Sequence, residues 1–280
     1  MTYRPTVRGR RLARELRRLR ETQGLTLQEV ADRLDWSRAT VSRLETGQTR
    51  PKPGDIADLL DLYGVPSPER DALINLAREA GQRGWWTAYA DVFTGSYVAL
   101  EDEASRIRAW DTQLIHGLLQ TEEYARAVIT AGRMLPGPTE IERRIDARKA
   151  RQKLLDRDEA PRLHLVFDEC VLRRPIGGAA VMRAQLEALL EFAARPRIEI
   201  QVLPYDTGAH AGLDGRFTIL SFPNPADPDI AYVEGTMGDV YLESAEAIAT
   251  HGDRFDRVAA AALPPEDSAH LIAEAARSSK

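Results

Sequence analysis

Arg38, Ala39, Thr40, Ser42 and Arg43 fall close together, at a spacing that carries them onto or near one face of a short helix. Their types suit contact with nucleic acid. A guanidinium holds guanine O6 and N7 through paired hydrogen bonds, and Ser, Thr and Ala approach phosphates or a thymine methyl. Helices must position that face, and the flanking residues read as helices. Thr26 can cap one in which Val30, Ala31 and Leu34 recur at helical spacing. After a break at Asp35 and Trp36, Ser37 can cap the next, with Val41 and Leu44 facing inward. Upstream, Leu12, Leu16 and Leu19 form an apolar stripe on a helix whose other faces carry Arg8, Arg10, Arg11, Arg14, Arg17, Arg18 and Arg20, and Gly24 stops it. Gly47 suits a carboxyl-terminal cap. Pro53 begins a helix with Ile56, Leu59, Leu60 and Tyr63 inward, and Ser67-Pro68 opens a fifth carrying Leu73, Leu76 and Ala80.

With that pattern in place, residues 10–66 closely resemble the Cro/cI-type helix-turn-helix regulators, the xenobiotic-response-element family. The resemblance implies that Ser37 through Arg43 form the recognition helix, that Arg38, Ala39 and Ser42 face base edges, and that Arg43 lies near bases or backbone. It places Gln48, Thr49 and Arg50 on a loop that touches phosphate, and Thr26 and Gln28 join the expected DNA contacts. Two positions depart from the family. Leu27 stands where several members carry a buttressing glutamine, and Asp35 stands where the turn is commonly glycine, which asks of Asp a conformation it tolerates better than most residues.

Charge divides the chain. Residues 1–66 carry 13 basic against 9 acidic side chains, a net of +4, which leaves −9 for the rest of a chain whose total is −5. The basic end suits DNA and the acidic remainder suits a protein, a second copy of the chain or a small ligand. A length of 280 residues fits two domains, expected at 1–80 and 81–280 with Gly81 and Gly84 at the join. No signal peptide or membrane span is visible, so a cytoplasmic location is expected. Cys170 is the only cysteine; it excludes an internal disulfide and reads as a small buried residue beside a strand.

Beyond Gly84, Trp85, Trp86, Tyr89, Phe93 and Tyr97 are too many aromatics for a flexible linker. They fit a docking or dimer contact, or the seed of a second core. Helices are expected near 101–110, 121–131 and 139–155. Leu163, Leu165 and Phe167 then alternate as a strand, 179–193 reads as a helix, and Ile198, Ile200 and Val202 alternate again, which predicts a right-handed parallel crossover unit. Short strands at 217–222, 230–234 and 240–242 follow, and Pro265 opens a last helix. The expected fold is an all-α helix-turn-helix domain followed by an α+β or α/β domain with a mixed sheet.

Residues 85–275 also resemble the second domain of actinobacterial WhiJ-like regulators, through Trp85-Trp86, Glu101 to Ala104, Gly117 to Arg126, Arg148 to Gln152, Asp168-Glu169, Leu172 to Pro175, Gln201 to Pro204 and Gly208 to Gly212. His116 departs from the proline usual there. The resemblance implies an arrangement like a toxin-antitoxin pair or a regulator with its antagonist, in which a small protein encoded nearby is the partner.

An enzyme finds little support. His164, His210, His251 and His270 lack metal-ligand spacing, and nucleotide-binding, metalloprotease and hydrolase signatures are missing, so neither metal nor cofactor is expected. Glu169, Arg173, Arg174, His210, Asp214 and Glu234 fall at strand ends or loops, where α/β sheets form ligand crevices, and make a candidate pocket for a ligand or partner. The favoured reading is a homodimeric regulator that binds a duplex operator under the control of a partner or ligand. An antitoxin-like module and an enzyme with a DNA anchor stay open beside it.

Overall fold

The computed structural model describes residues 5–80, 84–93, 96–132, 137–225, 227–235 and 238–279, in two compact units, 1–103 and 104–280. The division lies beyond the glycines expected to mark it, and Gly81 is outside the described residues.

Local chemistry sets the helices of the first unit. α1 (Val7–Thr22) starts where the Thr6 hydroxyl accepts from Gly9 N. α2 (Leu27–Leu34) is held by a capping box: Thr26 Oγ1 accepts from Glu29 N, and Glu29 Oε2 accepts from Thr26 N at 2.8 Å. Asp35 takes the left-handed conformation expected of it, φ 54°, and turns the chain. α3 (Arg38–Glu45) begins at Ser37, whose Oγ accepts from Thr40 N at 3.1 Å. α4 (Pro53–Leu62) and α5 (Glu69–Ala80) complete the bundle around Leu12, Leu16, Val30, Val41, Leu59 and Tyr63.

The aromatic segment does not seed the second core. Trp85 contacts Trp86, Tyr89 and Phe93 edge-on at 5.9–6.2 Å. Its Nε1 donates to Asp102 Oδ1 at 2.8 Å, on α6 (Tyr97–Glu103), within the first unit.

The second unit holds a six-stranded mixed sheet in the order β3-β2-β1-β4-β5-β6. Its strands are β1 (Arg106–Asp111), β2 (Arg162–Asp168), β3 (Ile198–Leu203), β4 (Phe217–Ser221), β5 (Ile230–Val233) and β6 (Val240–Leu242). β1, β2 and β3 run parallel, and the remaining strands pair antiparallel from β1 outward. Between β1 and β2 come α7 (Glu122–Thr130) and α8 (Pro138–Gln152). The short α9 (Cys170–Arg173) and α10 (Ala179–Ala193) form the expected crossover, and α11 (Ala245–Ala261) and α12 (Pro265–Ser278) close the chain.

Two expectations need correction. The helix placed at 101–110 ends at Glu103, and its second half is β1, a central strand of the sheet. Ile107, Ala109 and Trp110 are wholly buried there because sheet neighbours lie on both sides and α11 packs against the strand. α11 went unpredicted, although Ser244 caps it and Phe255 and Val258 bury one of its faces. No helix among the described residues is long and apolar enough to cross a membrane.

Candidate functional site

α3 presents the face that its sequence promises. Val41 and Leu44 are buried, whereas Arg38, Ala39 and Arg43 are exposed and Thr40 and Ser42 half-buried. Arg38 is the first residue of the helix and no acid occupies the first turn. A cation at that end opposes the helix dipole, so Arg38 does not serve helix stability. Among the described residues neither Arg38 nor Arg43 has an ion-pair partner. On α1, by contrast, Arg8 meets Glu79, Arg17 meets Glu21 and Arg18 meets Glu15. The basic charge of α3 is uncompensated; that of α1 is largely neutralised.

The other expected contacts divide. Gln48 and Arg50 are exposed and Thr49 half-buried in the loop after α3. Ser37 and Thr26 spend their hydroxyls on caps, and the Gln28 amide donates to Asp32 Oδ1 at 2.8 Å.

One essential pair was not foreseen. Arg20, read from the sequence as one of the arginines away from the apolar stripe, is largely buried, its side chain 12% exposed. Its Nε donates to Glu45 Oε1 at 2.8 Å, Nη2 to Glu45 Oε2 at 2.9 Å, and Nη1 to the carbonyl of Leu25 at 2.7 Å. This side chain ties α1 to the last residue of α3 and to the entry of α2.

In the second unit the six residues of the candidate pocket do not form one constellation. Glu169 accepts from Arg173 at 2.8 Å and from Tyr205 N at 3.0 Å. Asp214 pairs with Arg254 on α11, and Glu234 with Arg216 at 3.1 Å. His210 stacks edge-on against Trp110 at 5.4 Å while its Nδ1 accepts from Gly212 N, and Arg174 is exposed. Only Glu169 and Arg173 join each other; the rest make local ion pairs and turn bonds. Cys170 donates its thiol to the Thr112 carbonyl, and burial with the nearby Asp168 pushes that thiol up to about 12, far from a reactive thiolate.

A different cluster lies at the carboxyl end of β1, in the middle of the sheet. Trp110 pairs with Phe217, so Asp111 and Arg216 stand opposite one another, with Arg216 Nε 3.8 Å from Asp111 Oδ1. The segment Ile115 to Thr121 folds over this end through buried bonds. Gln120 Nε2 donates to Ile115 O at 2.6 Å, Ile115 N to the Tyr124 hydroxyl, and Thr121 N to Gln185 Oε1 at 2.6 Å. From α8, Arg148 donates to Gln120 Oε1, and Gln152 Nε2 to Gln120 O at 2.6 Å. A Cβ added to Gly117 would come within 2.9 Å of Arg151 Nη1, so the guanidinium lies against bare backbone.

Inside this cluster His116 is buried and held well below its ordinary pKa by burial and by Arg151, Arg216 and Arg148; its ring is neutral. Asp111 is 4% exposed, and its Oδ2 is buried without a hydrogen-bond partner among the described residues, a situation that costs about 1–3 kcal/mol. Burial pushes its carboxyl up to about 6 against the pull of Arg216 and Arg151, with Glu234 adding to the rise. Between the ordinary carboxylate range near pH ~4 and that value, the folded chain keeps a proton that the unfolded chain has lost. Stability therefore falls as pH rises through the window. Asp111→Asn is expected to stabilise the second unit at pH ~7.5 by on the order of 2 kcal/mol and to flatten the decline from pH ~4.5. Urea midpoints at both pH values check this; a less stable variant at the higher pH refutes it.

Residues 94–274 match the family model described as a domain of unknown function (DUF5753), and residues 11–73 match a helix-turn-helix domain. The first match takes in α6, although α6 packs in the first unit. No curated protein and no solved structure matches the chain.

Proposed function

We propose that this chain, which belongs to the DUF5753 family and carries a helix-turn-helix domain, is a sequence-specific DNA-binding transcriptional regulator. The observation that carries the reading is the exposed α3 with Arg38 and Arg43 unpaired among the described residues, one of them at the helix end where its charge is unfavourable. A duplex supplies what these arginines lack: guanine acceptors in a groove wide enough for a helix, and phosphates on either side. Arg50, Gln48 and Thr49 stand in the following loop to meet backbone.

The resemblance to Cro/cI-type regulators and to the WhiJ-like group supports the same reading, and with it a homodimer controlled by a small protein or ligand. One α3 contacts only a few base pairs, so two copies on a pseudo-palindrome multiply specificity. The net −9 outside residues 1–66 suits a basic partner surface and supports an antitoxin-like role as the second reading. Both are binding functions.

Selection of bound duplexes from a random library by the full chain tests the proposal. An enriched motif with half-sites about one helical turn, ~10 base pairs, or a multiple apart is expected. Recovery of no preferred sequence overturns it, and a single ungapped half-site overturns the dimer.

A further inference from the structure

We propose that the end of the sheet where the carboxyl terminus of β1 lies beside the start of β4 is a binding site for the oxyanion group, phosphate or carboxylate, of a small molecule, held by Arg148, Arg151 and Arg216 while Asp111 accepts a hydrogen bond from that molecule. This goes beyond the DNA-binding reading and does not depend on it.

Three observations converge. First, the arginines come from separate places, Arg148 and Arg151 from α8 and Arg216 from the start of β4, and all three act on the same buried side chain, His116. The charges acting most strongly on Asp111 are Arg216, Arg151 and the carboxylate of exposed Glu234. His116, neutral and buried, adds none. Guanidinium forks match planar or tetrahedral oxyanions, because two parallel N–H donors meet two oxygens.

Second, the arginines are placed by polar bonds rather than left on a solvated face. Arg148 donates to Gln120, which is itself fixed to Ile115 and Gln152; Arg216 forms an ion pair with Glu234; Arg151 lies against Gly117, where any side chain would crowd it. Gln185, wholly buried, pins the same segment through Thr121 N and Leu119 O. Such support is what a preorganised site requires.

Third, Asp111 Oδ2 is buried among these groups with no hydrogen-bond partner among the described residues. A buried acceptor left unmet asks for a donor, and a ligand hydroxyl, amine or protonated oxyanion supplies one. The location, at the carboxyl end of a parallel strand and beside the change of strand direction, is where α/β sheets place ligands.

Isothermal titration of the full chain with inorganic phosphate, and separately with acetate, tests the site, ionic strength being held constant with sodium chloride. Saturable binding at one site per chain is expected with at least one probe, and the stronger of the two identifies the source as phosphate or carboxylate. Arg151→Gln and Arg216→Gln should each weaken it by about tenfold or more, the worth of one charge-assisted contact. Arg183→Gln, beside α12 instead, should leave it unchanged. Circular dichroism confirms folding; should a glutamine variant unfold, Arg151→Lys replaces it and is expected to weaken binding by removing the fork. Absence of saturable binding by both probes overturns the proposal, as does undiminished binding by the folded Arg151 and Arg216 variants. No DNA enters this measurement, so its failure and that of the proposed function are separate.

Discussion

Replacement of Glu45 by alanine is expected to cost the first unit about 2–3 kcal/mol, because it leaves the part-buried Arg20 guanidinium with only Glu21, 3.6 Å away, as a carboxylate partner. Glu45 has a side chain only 4% exposed, and two nitrogens of Arg20 bind its two oxygens. A loss of that size is a large share of the total stability of a small domain, which runs to about 5–15 kcal/mol. Urea denaturation of the chain, followed by a probe in the helical unit, measures it. A loss under about 1 kcal/mol, the range of exposed ion pairs, would show that the pair is solvated and that the clamp is not real. Replacing both partners by apolar residues of similar size, Arg20→Met with Glu45→Leu, separates the cost of an orphaned charge from the worth of the pair. That double variant should lose far less than either single alanine variant. Because Arg20 Nη1 also holds the Leu25 carbonyl, the single variants should loosen the entry to α2 as well as the end of α3.

The ease of reading this chain follows how local the governing physics is. The α2-α3 unit was legible because each of its decisions is made within four residues: Thr26 with Glu29, Asp35 in its own left-handed turn, Ser37 with Thr40. The same holds for α10 and α12, where apolar residues recur at helical spacing and Pro265 marks the start of the second. β1 was misread for the opposite reason. Arg106 and Arg108 interrupt its apolar residues, and only pairing with β2 and β4 makes it a central strand.

The sites show the same limit. The exposed arginines of α3 could be picked out because nothing distant had to be known. Glu45 could not, since a glutamate in a last helical turn reads as solvated until Arg20, 25 residues away, is seen to reach it. The residues of the candidate pocket share strand ends and loops, yet they make local bonds. The cluster that does form joins Asp111 to Arg216 through strand register and to Arg148 and Arg151 through the packing of α8, information no sequence spacing holds. The Gly117 to Arg126 and Arg148 to Gln152 blocks singled out in the sequence do meet here, through Gln120 and Gln152.

The double replacement Arg38→Ala with Arg43→Ala is expected to lower affinity for the selected operator by about 2–6 kcal/mol, on the basis of about 1–3 kcal/mol for each bidentate base contact and rough additivity between separate base pairs. Both side chains are exposed and unpaired among the described residues, so the fold should stay within about 0.5 kcal/mol of the parent. Removing the cation at the first position of α3 slightly favours that helix. Lost binding therefore reports recognition and not unfolding. Arg50→Ala supplies the contrast. From the loop after α3 it should act through phosphate, weakening operator and unrelated duplex alike and reducing the slope of log affinity against log salt by about one. Fluorescence anisotropy on the operator and on a scrambled duplex, across a salt series, reads both effects. If the double variant loses affinity equally for the two duplexes, α3 touches phosphates and leaves the bases unread. If it keeps both its affinity and its enriched motif, the groove is read by some other element, and α3 loses the role assigned to it.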